Sequence, residues 1–244
     1  MKNSFLQYHG DSGKEELNTV CPTHTVTLIA SPKFSYSGCD VQDGQLRLLF
    51  HPDKLGSNIS HVGEKIAEAL SDAPQPEGAS TLSYATRHSI KEDYTTKIIP
   101  LLEKAQKLLQ NPKLDFQPNF EALGAKLKSG KDVRDDWETN LGSFAFKYLE
   151  SFVDVLEREK FGEDDMLREG LEEAVPKGVV QLKLVDTLKN GGYNEVVLDD
   201  GTLSIQVSCL RNSYECLLTL RSQTTPDKWG TNIHYAAEKL VDIL

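Results

Sequence analysis

Apolar positions recur along the chain at two periods, and the switches between them mark its elements. From Thr25 the period is two: VTLIA, then KFSYS after Ser31-Pro32, then QLRLLF after Asp43-Gly44 predict three strands. In the last of these Leu46, Leu48 and Phe50 fall on one face and Arg47 on the other. Asp-Gly tolerates the positive φ of a tight turn, so Asp43-Gly44 predicts an antiparallel hairpin. Beyond Phe50 the period lengthens. Ile59, Val62, Ile66 and Leu70 line one face of a helix, with Ser57 or Asn58 placed to cap it.

Asp72 to Gly78 has the composition of a connector. A helical stretch runs from Tyr84 to about Gln110, where Pro100 should kink it or divide it in two. NFEALGAKLKSG predicts a short helix stopped by Gly130. From about Asp132 to Glu159, Val133, Trp137, Leu141, Phe144, Tyr148, Phe152 and Val155 recur at three or four and predict a long helix with an aromatic stripe. EDDMLREGLEEAV adds a helix ending at Pro176. Period two then returns in VVQLKLV, in NEVVL and TLSIQVS on either side of Asp199-Asp200-Gly201, and in SYECLLTLR, where Tyr214, Cys216, Leu218 and Leu220 share a face.

The end of the chain repeats an earlier stretch. Pro52–Leu70 set over Pro226–Leu244 without a gap is identical at nine of nineteen positions. Together these patterns predict an α+β fold of two related β-meander-plus-helix halves separated by a helical block, with antiparallel sheets carrying helices on one face. The expected divisions are a disordered polar tail over 1–20, a first meander plus helix over 21–72, the helical block over 73–176, and a second meander plus helix over 177–244. The halves are expected to associate into one compact unit. The last helix ends at Leu244 without a capping glycine, as it would in a piece of a longer chain.

Composition narrows the partners. A net charge of −10 with pI near 5.1 opposes attraction to phosphate backbones, and no basic block offsets it, so nucleic acid and membrane surfaces are not expected partners. The first residues lack a secretory signal pattern, which places the chain in the cytoplasm with its four cysteines reduced.

Candidate chemistry is sparse. His51-Pro52-Asp53-Lys54 resembles the HPD signature of J-domain co-chaperones, and EKIAEALSDA is similar to the helix that follows it in that family. The resemblance covers about twenty residues and implies His51, Pro52 and Asp53 as contacts to an Hsp70. The second copy keeps Pro226-Asp227-Lys228 but has Thr225 for the histidine, which reads as a strand-to-helix turn. Gly10-Asp11-Ser12-Gly13 reads as tail and Gly124–Asp132 as a helix end. Cys21 and His24 lack the further ligands of a zinc site. The pairs Asp135-Asp136, Asp164-Asp165 and Asp199-Asp200 read as caps and turns.

These readings lead to a non-catalytic protein that works through a protein partner or self-association, as an adaptor or assembly subunit without a cofactor or metal. Exposed sheet edges are its expected contacts. The alternative is a small-molecule-binding protein or enzyme with a cavity between the helical block and the sheet. Trp137, Tyr148, Phe152 and Tyr214 would line that cavity, and Trp229 is a further candidate for a ligand or partner surface. A degenerate J-domain-like co-chaperone is third.

Overall fold

The computed structural model of the chain describes residues 4–75, 79–129, 136–186, 188–189, 194–208, 237 and 239–244. These form a mixed α+β structure of seven α-helices and two sheets, and the chain divides into two compact units, Met1–His88 and Ser89–Leu244. Among the described residues no helix is long and apolar enough to cross a membrane.

Unit 1 begins with α1 (Ser4–Val20), two helical stretches joined across a kink at Gly10 (φ 49°, ψ −138°), where a disordered tail was expected. Its buried positions, Ser12, Gly13, Glu16 and Val20, follow the helical repeat, but only the last is apolar. Buried Glu16 is held by an ion pair with Arg87 and a 3.0 Å hydrogen bond from Gln75 Nε2, which offset its loss of hydration. The strands are β1 (Thr25–Ala30), β2 (Ser37–Gln42) and β3 (Gln45–Phe50). KFSYS is therefore mostly turn, not strand. Phe34 folds back over Gly38, where its ring takes the space that a Cβ would need.

The Asp43-Gly44 hairpin forms as predicted, with φ of 52° and 68° and Gln42 opposite Gln45. The sheet is mixed, however, not antiparallel throughout. Its order is β1-β3-β2, with β1 parallel to β3. The link over 31–36 is long enough to span the two strand spacings, about 9.6 Å, that separate β1 from β2, and the two-residue hairpin returns β3 into the gap. Past β3, short 3-10 turns at Pro52–Lys54 and Ile59–His61 lead to α2 (Val62–Ser71), which starts later than expected and is not capped by Ser57 or Asn58. The core joins Val20, Cys21, Cys39, Leu46, Ala69, Leu70 and Tyr84, with Leu48, Val41, Val62 and Ile66 packed against it.

In unit 2 the helical block and the second sheet share one core. Helix α3 (Tyr84–Ser89), which belongs to unit 1 except for Ser89, runs into a π-helical turn at Ile90–Thr95, and α4 spans Ile98–Leu109. The division expected at Pro100 falls just before it, because proline in a first helical turn lacks only an N–H that has no partner there. Strand β4 (Asp115–Gln117) was not anticipated, being too short to show a period. Then come α5 (Phe120–Ser129), α6 (Trp137–Arg158) and α7 (Asp165–Ala174), the last capped by Asp164, whose carboxylate accepts from Leu167 N at 3.1 Å.

The second sheet contains β5 (Val179–Val185), β6 (Asn194–Asp199) and β7 (Thr202–Ser208) in the order β4-β5-β7-β6. β4 and β7 are each parallel to β5, while β6 and β7 form an antiparallel hairpin across Asp200 and Gly201, with φ of 47° and 69°. The arrangement β5-β7-β6 thus has the order and directions of β1-β3-β2. SYECLLTLR and most of the predicted last helix lie outside the described residues. A 3-10 turn at Val241–Ile243 ends the chain, with Leu240 buried in the unit 2 core.

Candidate functional site

The side chains of unit 1's sheet form rows across the strands. Val26 stands beside Leu46 and Val41, and Leu28 beside Leu48 and Cys39, all on the face that α1 and α2 cover. Cys39 and Val41 of β2 and Leu46 and Leu48 of β3 share a core with α1 and α2, and Val26 and Leu28 of β1 are not part of it. Each row therefore ends in solvent, with Val26 59% and Leu28 65% exposed. On the other face, Thr27 heads a row through Arg47 and Asp40, which form a bidentate ion pair at 2.7 Å. Among the described residues no strand pairs with the outer edge of β1.

The matching rows of unit 2 are closed. Val180 stands beside Leu203 and Leu198, and Leu182 beside Ile205 and Val196. Val180 is 1% and Leu182 5% exposed. Their outer edge carries β4, which places Phe116 next to Val180, edge-on to Phe152, while α5 and α6 supply further core residues such as Leu123, Leu127 and Leu149. Among the described residues, the same strand arrangement thus has a covering strand in one unit and none in the other.

The sequence candidates fall elsewhere. Phe152 is fully buried, and Trp137 and Tyr148 pack partly buried against the same core. The cavity that Phe152 lines with Leu109, Leu171 and Leu203 has a volume of about 20 Å³. That admits roughly one water molecule, whereas small-molecule sites occupy about 300 Å³ or more. Trp137 and Tyr148 do not line it. Tyr214 and Trp229 lie outside the described residues, as do Cys209 and Cys216.

His51, Pro52 and Asp53 follow strand β3 and form a single 3-10 turn, so a strand stands where the J-domain resemblance implies a helix. His51 Nδ1 accepts from Asp53 N at 3.3 Å, and Lys54 Nζ lies 4.3 Å from the centre of the Tyr36 ring. These local contacts account for the residues as a turn.

Two further clusters stand out. Cys39 lies in the unit 1 core, where burial, with lesser contributions from Asp40 and Glu68, pushes its thiol up to about 11. Burial also raises Cys21. His9, Tyr84 and His88 form a ring cluster with centroids 5.2 to 5.8 Å apart, and His88 Nδ1 is buried without a hydrogen-bond partner. Burial, then the neighbouring His88, lowers the pKa of His9. Among the described residues no three His, Cys, Asp or Glu side chains converge as metal ligands.

Among the described residues, β1 is an edge strand whose outward side chains Val26 and Leu28 stay exposed. No family model matches the chain, and no curated protein or solved structure is significantly similar to it.

Proposed function

We propose that the protein is a non-catalytic interaction or assembly subunit whose contact element is the edge of β1. The observation that carries this reading is the pair of apolar rows that run out to solvent at Val26 and Leu28. Edge strands are ordinarily blunted by lysine, proline or a bulge, because open N–H and C=O groups invite another strand. β1, Thr25-Val-Thr-Leu-Ile-Ala30, has no charge and no proline, and its six residues pair with β3 in unbroken register. The common order of β1-β3-β2 and β5-β7-β6 and the repeat of Pro52–Leu70 support a duplicated unit in which, among the described residues, the second copy alone has a covering strand.

The test compares proteins retained by the wild-type chain with those retained by Leu28→Lys, a substitution at an exposed site that leaves the core intact. Specific retention by the wild type alone is the expected result. Identical recovery on both would overturn the assignment of the contact to β1. The cavity beside Phe152, at about 20 Å³, lends no support of its own to the small-molecule alternative.

A further inference from the structure

Resting on that reading, the geometry points to a second copy of this chain as the occupant of the β1 edge, paired antiparallel across a two-fold axis. The first argument is chemical self-complementarity. An isologous contact brings one patch against itself, so it suits a strip without charge and penalises one that carries it. β1 is such a strip within a chain of net charge −10.

The second argument is register. An axis perpendicular to the sheet keeps the helices of both copies on one face. Directly opposed residues of an antiparallel pair must then point the same way, which places the axis on a residue and not between two. Centred on Thr27, it sets Val26 of each copy against Leu28 of the other. The four side chains left bare by α1 and α2 cover one another, and the sheet becomes six strands in the order β2-β3-β1-β1-β3-β2.

The third argument is the internal comparison. In unit 2 the row through Val180 and Leu203 is completed by a residue from an added strand, Phe116 of β4. Among the described strands, the rows through Val26 and Leu28 end without such a residue. β1 of a second copy supplies a strand with apolar residues at alternate positions, giving ladder hydrogen bonds together with side-chain burial.

The experiment is sedimentation velocity of the full chain across a wide concentration range, with Leu28→Lys and Val26→Lys as variants. The wild type is expected to pass from monomer to dimer. Each substitution enters the contact twice, once from each copy, so the dimer should weaken by about a hundredfold or more. Circular dichroism of each variant should match the wild type, because both side chains are exposed in the single chain. A wild type that stays monomeric throughout overturns the proposal, as does a dimer that both lysine variants leave unchanged. A monomeric wild type that still retains a foreign protein through β1 removes self-pairing and leaves the interaction reading standing.

Discussion

Gly142, inside α6, gives the sharpest test of how the helical block is packed. A Cβ built there would lie 2.1 Å from the carbonyl oxygen of Ser89, 2.5 Å from its carbon and 2.8 Å from Ile90 Cα. All three are backbone atoms, so no rotamer change makes room. The π-helical segment and α6 would have to separate by about 1 Å to reach ordinary contact distances. That movement would break the 3.0 Å hydrogen bond from Gly142 N to the buried Ser89 hydroxyl. Overpacking costs about 1–3 kcal/mol and a buried donor left unmade about 1–3 kcal/mol. Alanine's better helix propensity offsets about 1 kcal/mol.

Gly142→Ala is therefore expected to destabilise unit 2 by about 1–5 kcal/mol. Gly170, inside α7, has nothing within 4 Å of a built Cβ, so Gly170→Ala should stabilise the same unit by about 0.5–1 kcal/mol. The assay is urea unfolding followed by tryptophan fluorescence, which reports unit 2 because Trp137 and Trp229 both belong to it. Opposite shifts of the midpoint at an unchanged slope are expected. A Gly142→Ala protein as stable as the wild type would refute the packing of α6 on Ser89.

Arg87→Ala should cost unit 1 about 3 kcal/mol by leaving buried Glu16 without its cation, and Glu16→Gln together with Arg87→Ala should recover part of that loss in thermal unfolding. Because the folded pKa of His9 lies below 6.5, the unfolded chain takes up that proton first. The stability it contributes is full above pH 6.5 and is lost as pH falls through the folded pKa, so His9→Phe should flatten the fall in melting temperature on the acid side. With its thiol near 11, Cys39 should resist alkylation at neutral pH until denaturant is added, as read by peptide mass spectrometry.

The elements carried by local signals were legible in the sequence: the two Asp-Gly hairpins, the long helix with its aromatic stripe, the strand VVQLKLV and the Asp164 cap. Elements set by long-range pairing were not. α1 escaped because three of its buried positions are serine, glycine and glutamate, and Glu16 is buried only because Arg87 and Gln75, far along the chain, meet it. The meander order failed because hydrophobic alternation fixes a strand's faces but not its neighbours. Only the link lengths over 31–36 and 186–193 allow β3 and β7 to enter between the earlier strands. At the candidate site, VTLIA read correctly as a strand, but its exposure depends on where α1 and α2 come to rest. Phe152 read as an aromatic that could line a cavity, and its packing against Phe116 depends on the three-residue β4.

Net charge and the bare edge act at different ranges, and together they favour one mode of contact. A chain of charge −10 repels other acidic molecules, its own copies included, but at physiological salt that repulsion is screened beyond about 8 Å. Approach is therefore unproductive wherever acidic surface meets acidic surface. It is opposed least where an uncharged strip lets two backbones close to strand spacing. In the proposed pairing the N–H and C=O groups on the outer edge of β1 would find partners there, and Val26 and Leu28 would leave water together. A lysine at either position would place charge in that strip, and so would act on recognition far more than on the folding of a side chain that is already exposed.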